Sequence, residues 1–435
     1  MDIGILILAG ALVLFAFLAF KQINVLVLAP AITLLVFALM RMPILDNLLG
    51  SFMPSAAGYI SNYFLLFFVG ALFGAVYRAT GAAESIALWI SRISGGKFAA
   101  PVIMCITGIL TYGGVSGFVV FFVVYPIALS MFKKSNISRR LLPAAISSGC
   151  WAWSMTLPGA PSIPNKVAMT SLGTSSRAAF VPSIIAIGAE FILMFIWLEY
   201  RGRKLRKDGH GFEDSTLKFP LPEGELKDSD GSGLPSPVTA FIPIIIIVVL
   251  FNVVKMPVEA AVFIGVLAAF ILMFRKINTA RGWIEVFNKG AQDCGPAILN
   301  TAIVVGFGGA MQSTEAFKNL ITLLQNLSIP PMLFVFITVA ICGAACGSAS
   351  GGMGVAFGAL TDIFKGLGIN LEYVHRIGTM AAGAFGTMPH QGALITLLGI
   401  CKLTHKEAYF DVLVTQLVIP TLAFGLFYAL AAMGM

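Results

Sequence analysis

The chain has 435 residues, of which 58% are hydrophobic and only 11% charged, with a net charge of +8. Soluble domains carry about 25% charged residues, so a water-soluble globular protein is excluded. The basic residues sit in loops between apolar runs, which marks them as topology signals and not as a nucleic-acid surface.

Apolar runs cover 3–20, 24–40, 62–80, 101–131, 141–173 and 178–200, then 238–254, 258–274, 297–313, 330–362, 376–400 and 410–433. Roughly 18 apolar residues suffice to cross a bilayer. The first run lacks a basic leader and a small-residue cleavage site, so it reads as a retained helix. The runs 101–131 and 330–362 are too long for one span. Each opens on proline (Pro101; Pro330 and Pro331) and is broken centrally, at Gly113-Gly114-Val115-Ser116-Gly117 and at Gly347-Ser348-Ala349-Ser350-Gly351-Gly352. Each reads as a re-entrant helical hairpin. The runs 141–173 and 376–400 contain Thr156-Leu157-Pro158-Gly159-Ala160-Pro161-Ser162 and Gly386-Thr387-Met388-Pro389-His390-Gln391-Gly392, and each reads as a discontinuous helix. Such irregular backbone is tolerated at membrane depth only where protein or a water-filled cavity satisfies it. Amphipathic stretches near 81–97 and 276–292 precede the hairpins and read as interfacial helices or as links between a moving and a fixed part.

The expectation is an all-α polytopic membrane protein built from two inverted repeats. The first spans 1–200 and the second 238–435, with a polar linker at 201–237. Each repeat supplies five crossings and one hairpin, so the total is about ten crossings plus two re-entrant hairpins and two discontinuous helices. The positive-inside rule puts Arg201–Lys207 in the cytoplasm, together with Lys21, Arg92, Lys97, Lys133, Lys134, Arg139, Arg140, Arg275, Lys276, Arg281, Lys289, Lys402 and Lys406. Both termini are then extracytoplasmic, in the inner (plasma) membrane. Arg41, Lys255, Lys318, Lys365 and Arg376 fall on the opposite side.

Paired breaks in two repeats are the mark of a secondary transporter with its site between them. Helix N-termini at the breaks attract anions, and C-terminal carbonyls suit small cations. Ser116, Ser348, Ser350, Ser154, Thr156, Ser162, Asn165 and Thr387 add hydroxyl or amide groups there, and His390 and Gln391 add donors. A carboxylate with hydroxyls along its chain matches that set. The expected substrate site is Ser116, Gly117, Thr156, Gly159, Ser162, Ser350, Gly351, Thr387 and His390. His390 either binds substrate or carries a proton, or else caps the broken helix. Glu190, a carboxylate in mid-run, is a coupling candidate or a partner for a scaffold amide or subunit contact. His390, Glu190, Asn165 and Ser348 are the ion-coupling candidates. The six cysteines form no metal cluster with histidine and read as buried thiols. Phosphate-binding, zinc-protease and nucleophile-elbow motifs are missing, so no enzyme, metal or cofactor is expected.

The stretch Thr156-Leu157-Pro158-Gly159-Ala160-Pro161-Ser162-Ile163-Pro164-Asn165 resembles the T-M-P-G-T-P-x-I-x-N signature of gluconate permeases. His375-Arg376-Ile377, Thr387-Met388-Pro389-His390-Gln391-Gly392 and Leu403-Thr404-His405-Lys406-Glu407 resemble the hydroxybutyrate-permease branch of that family. The resemblance implies an ion-transporter-superfamily fold, a homodimer of scaffold and transport domains, and uptake of a small hydroxy-monocarboxylate with protons or sodium. Ala160 and Ser162 stand where gluconate permeases more often show Thr and Gln, which favours a smaller substrate than a sugar acid. The expected mechanism is elevator-type alternating access, the hairpins and broken helices moving against scaffold helices at 24–40 and 258–274. The alternatives are sodium-coupled transport of a di- or tricarboxylate, and an anion channel. On coupling, the family favours a proton on His390 or Glu190; sodium among Ser116, Asn165, Ser348 and Thr387 is the other possibility.

Overall fold

The computed structural model describes residues 3–21, 23–93, 97–112, 117–160, 162–221, 233–254, 256–326 and 328–435. The tip of the first hairpin, 113–116 with Ser116, and most of the linker, 222–232, lie outside the described residues. All regular structure among the described residues is helical. The first half runs α1 (Ile3–Phe20), α2 (Val25–Leu39), α3 (Ile44–Asn47), α4 (Met53–Thr80), α5 (Ala82–Ile93), α6 (Ala99–Tyr112), α7 (Gly117–Lys134), α8 (Leu142–Ser147), α9 (Trp153–Thr156), α10 (Ile163–Leu172) and α11 (Phe180–Lys207). The second runs α12 (Pro237–Asn252), α13 (Val258–Met273), α14 (Ala280–Gln312), α15 (Glu315–Gln325), α16 (Pro331–Cys346), α17 (Ala349–Gly366), α18 (Leu371–Phe385), α19 (Gly392–Cys401), α20 (His405–Leu413) and α21 (Ile419–Ala432). Among the described residues six helices are long and apolar enough to cross a membrane: Ile3–Phe20, Ile44–Thr80, Phe180–Lys207, Val258–Lys276, Ala280–Gln312 and His405–Ala432.

Local chemistry sets the ends. Thr279, Thr314 and Ser348 accept backbone N–H groups at the starts of α14, α15 and α17. Gly81, at φ +76°, stops α4. One expectation is corrected here. Residues 280–292 are not a separate interfacial helix but the first part of the 33-residue α14, because Pro296 is accommodated without ending it. The amphipathic helix that precedes the second hairpin is α15, started by the Thr314 cap, just as α5 precedes the first hairpin.

The helices form two packed groups. α4 lies along α14, with α2 on α14, α13 on α4, α12 on α13 and α1 on α2. Against this group sit the hairpins and broken helices. α16 packs on α17 and α18, while α10, from the first broken helix, packs on α17 and α18 of the second half. Reciprocally, α19 packs on α7 and α8 of the first half. The two halves are thus interlocked through their broken helices. α11 and α21 pack on each other at the edge of this second group. Large apolar side chains point outward, among them Ile3, Val13, Val27, Ile245 and Ile271, as a lipid-facing surface requires.

The basic stretch 201–207 continues α11, so the chain leaves the helix only at Asp208. Residues 208–221 lie pinned across both halves: Asp214 pairs with Arg140 at 2.9 Å, and Glu407 accepts the Lys218 N–H at 2.7 Å.

Candidate functional site

The second hairpin turns at Gly347, whose φ of +57° is a left-handed conformation that favours glycine. Its arms meet so closely that a Cβ on Gly352 would strike the Gly343 backbone. Ser348 then starts α17: its Oγ accepts the Gly351 N–H at 3.1 Å and its carbonyl the Gly352 N–H at 2.8 Å. The N–H groups of Ala349 and Ser350, which have no intrahelical acceptor, are left at the tip. In the second broken helix, α18 ends at Phe385 and Thr387 Oγ1 donates back to the Ala384 carbonyl at 2.9 Å. The chain restarts at Gly392 with Gln391 in the cap position, and its side chain makes no cap bond.

Between these pieces lies a cavity of about 200 Å³. Tyr59 and Tyr63 of α4 and Thr301 of α14 form one wall; Trp151 and Met155 of the first broken helix form another. The tip residues Ser348, Ala349 and Ser350, with Thr387, Gln391, Gly392 and Ala393, close the rest. The N-termini of α17 and α19 therefore both open on the cavity, two positive dipole ends at one place. Gln391 is 7% exposed and its Oε1 has no hydrogen-bond partner among the described residues. Among the described residues of the lining there is no Lys, Arg, His, Asp or Glu. The cavity thus offers neutral donors from two helix starts and one unpaired acceptor.

Of the expected substrate residues, Ser350 and Thr387 line this cavity, as does the coupling candidate Ser348. Gly351 contributes its N–H to the Ser348 cap. Gly117, the first residue of α7, lies beside the Trp151 indole, which separates it from the cavity.

The first break is built differently. Asn165 Nδ2 donates to the Met155 carbonyl at 3.0 Å, the Ala160 carbonyl at 3.3 Å and Ser162 Oγ at 2.9 Å. Ser162 Oγ donates to the Met155 carbonyl at 2.9 Å. Gly159, at φ +86°, gives its N–H to the Ser176 carbonyl at 2.8 Å, and Thr156 Oγ1 bonds the Ala152 carbonyl at 3.2 Å. The charge at this break comes from the other half. Arg376 of α18 is fully buried; its Nη1 donates to the Thr156 carbonyl and to Asn165 Oδ1, and its Nη2 to the Ala178 carbonyl at 3.2 Å. His375 Nε2 lies 2.9 Å from the same Asn165 Oδ1, and its Nδ1 lies 2.7 Å from Thr174 Oγ1. Arg376, counted with the loop charges in the sequence, lies instead inside a helix. α18 starts at Leu371, so Arg376 is more than a turn inside the helix. The spacing of Glu372, His375 and Arg376, all on one face of a helix capped by Asn370, is the signal that exposes it.

His390 does not line the cavity. Its Nε2 lies 2.9 Å from the Ala344 carbonyl at the end of α16, and its ring packs against Phe15 and Phe307. A Cβ on Gly347 would come within 2.8 Å of that ring, so His390 rests on the hairpin turn. Glu190 is 1% exposed on α11, and its Oε1 has no hydrogen-bond partner among the described residues.

No family model matches the chain. It is 31% identical to the uncharacterized transporter YxjC of Bacillus subtilis, over 96% of each chain. It is 24% identical to the D-serine transporter DsdX of Escherichia coli, over 64% of each. It is 22% identical to an uncharacterized permease of Haemophilus influenzae, over 78% of this chain and 74% of that one. Among solved structures, the Alcanivorax borkumensis YdaH transporter matches with a TM-score of 0.43 and 14% identity over 86% of each chain. Helices apolar enough to cross a membrane and the near full-length match to YxjC make this chain a multi-pass membrane transporter, a member of the family to which YxjC belongs.

Proposed function

We propose that the chain is a secondary active transporter that imports a small hydroxy-monocarboxylate, of the 3-hydroxybutyrate or gluconate kind, by cation symport. The observation that carries this reading is the cavity where two helix N-termini face one unpaired amide acceptor. A carboxylate takes the free N–H groups, and a hydroxyl on the same molecule donates to Gln391 Oε1. The volume of about 200 Å³ is below the about 300–1,000 Å³ usual for drug-sized ligands, which suits a solute of few atoms. D-serine, named for one relative, also carries a carboxylate and a hydroxyl on the β-carbon, the spacing found in 3-hydroxybutyrate. A di- or tricarboxylate fits less well, since no basic side chain lines the cavity.

The repeats are inverted, and the protein is a gluconate-permease relative of the hydroxybutyrate-permease branch, working as a homodimer in the inner membrane with both termini outside. The cavity lies at the seam between the α4–α14 group and the hairpin body, which suits an elevator movement of one past the other. Import of an anion into a negative interior costs about 2.3 kcal/mol per charge per 100 mV, so a cation must accompany it. Glu190, buried with an unpaired oxygen, carries the proton in this reading.

The test is uptake into proteoliposomes of a panel of short hydroxy acids and their deoxy analogues under separate proton and sodium gradients. Accumulation of a hydroxy acid driven by the proton gradient and lost in Glu190→Gln is expected. Transport driven by sodium alone refutes the coupling, and failure of every hydroxy acid refutes the substrate class.

A further inference from the structure

A second cavity, of about 150 Å³, lies next to the first. Among its lining residues are Arg78 of α4, Lys289 and Asp293 of α14, and Lys402 at the end of α19. Arg78 Nη2 lies 2.7 Å and Lys289 Nζ 2.6 Å from the two oxygens of Asp293. Among the described lining residues three cations face one carboxylate, and Lys402 makes no ion pair among the described residues. The two cavities share a wall of two hydroxyls. Thr396 lines this one and Thr301 the central one, and their Oγ1 atoms are hydrogen-bonded to each other. Both also bond the Ala297 carbonyl at 3.1 Å. The hydroxyl pair between α14 and α19 is thus a polar spot in a wall that also holds the apolar cluster of Phe67, Phe122, Ala297 and Ile298.

We infer that this cavity is an anion antechamber on the transport path, taking a small carboxylate, and that the Thr301–Thr396 pair is the partition between it and the central site. The inference rests on the import reading for which way the solute moves. Lys289 and Lys402 belong to the basic face that the positive-inside rule assigns to the cytoplasm, so the antechamber is the inner end of the path. A cleft with an excess of one sign of charge and low-dielectric walls concentrates counter-ions. The cations thereby draw a carboxylate out of a central site that has only neutral donors to hold it.

The experiment needs no substrate identity. Asn300, which lines the antechamber, is replaced by cysteine in the full chain in phosphatidylcholine nanodiscs. The native cysteines are buried apart from half-buried Cys105, and the parent protein supplies the background. Labelling rates are compared for methanethiosulfonates bearing a sulfonate and a trimethylammonium, each normalised to a free thiol, so that any change in thiolate fraction cancels. The sulfonate is expected to react faster by about tenfold. Lys289→Gln with Lys402→Gln should abolish most of that bias, as should about 1 M salt, where the screening length is about 3 Å. Thr396→Ala should let the sulfonate reach Ser350→Cys faster than in the intact partition. Equal rates for the two reagents, or a bias that survives both lysine changes, overturn the antechamber. So does loss of labelling that appears only with phosphatidylglycerol, which would mark a lipid headgroup as the occupant. A normal bias in a protein that transports no hydroxy acid leaves the antechamber standing and sinks the substrate reading instead.

Discussion

Arg376 is the side chain on which the interlocking of the two halves depends most. It is fully buried, and its charge is held by carbonyls and an amide with no ion pair among the described residues. Arg376→Met keeps the length and apolar stem of the side chain but deletes the guanidinium. The Thr156 and Ala178 carbonyls and Asn165 Oδ1 then lose a charged donor at membrane depth. A hydrogen bond to a charged group contributes about 1.5–3 kcal/mol. These three are lost together with the longer bond to the Ser176 carbonyl at 3.5 Å, and the desolvation of the guanidinium is recovered, so the net destabilisation is about 3–5 kcal/mol, in the range seen when one member of a buried charged network is removed. Arg376→Lys should recover little, because one ammonium cannot reach carbonyls on both sides of the break as a planar fork does. The assay is reversible unfolding in mixed micelles, with Asn165→Ala and the double variant completing a cycle. Arg376 and Asn165 share a contact, so the two losses should be sub-additive by about 1 kcal/mol or more. Strictly additive losses, or an Arg376→Met protein as stable as its parent, refute the claim that this pair knits the first break to α18.

Ser350→Ala should weaken substrate binding about tenfold, the value of one hydrogen bond to a charged group, with stability unchanged, and Gln391→Leu should erase most of the preference for a hydroxy acid over its deoxy analogue; equilibrium binding reads both. Gly352→Ala places a methyl on the Gly343 backbone and should splay the second hairpin, seen as loss of folded protein on size-exclusion chromatography, whereas Gly354→Ala, with open space at its Cβ, should be silent. Asp214 reports on the linker. Burial would raise its carboxyl, but hydrogen bonds from Thr216 and Arg140 outweigh this and bring it down to about 2. A depressed value means that the ionised form is favoured on folding, so the pinning is complete above about pH 4 and is lost as pH falls through about 2. Limited proteolysis within 208–221 should accelerate in acid, and in Asp214→Asn already at neutral pH.

The two breaks were legible because Gly, Ser and Pro interrupt otherwise apolar runs where the structure ends one helix and starts another, between α9 and α10 and between α18 and α19. A short helix, 12-residue α5 or 11-residue α15, precedes each of the helix pairs α6–α7 and α16–α17. Misplacing the amphipathic partner at 276–292 came from reading polarity without the cap: Thr314 starts a new helix, and no comparable stop lies near residue 292. The roles of the two breaks were not legible. Thr156, Ser162 and Asn165 have the same composition as a binding site, yet their polar atoms are spent on one another, because a buried arginine from far along the chain completes the network. His390 likewise reads as a ligand by residue type and sits instead on the Ala344 carbonyl. Long-range pairing of this kind leaves no periodicity in the sequence.

That difference between the breaks has an energetic consequence. The first spends its Asn165, Ser162 and Thr156 side chains on hydrogen bonds across the break and leaves only a guanidinium N–H, Arg376 Nε, without a partner there among the described residues. The second puts two helix starts, whose first N–H groups have no intrahelical acceptor, beside the oxygen of Gln391, which has no partner among the described residues, and each such group costs about 1–3 kcal/mol unless water or a solute satisfies it. A ligand that fills the cavity therefore replaces a poorly solvated set of donors, and it binds only the folded form. Saturating substrate, at about 100 times its dissociation constant, should stabilise the protein by about 2.7 kcal/mol. The stabilisation should disappear in the double variant Ser350→Ala with Gln391→Leu, which removes site groups without touching the first break. In Asn165→Ala the free protein should be weaker but most of the ligand increment intact, since Asn165 reaches the cavity lining only through the Met155 backbone carbonyl. A ligand increment that vanishes in Asn165→Ala while persisting in the double variant would move the binding site to the first break and overturn the assignment of the cavity.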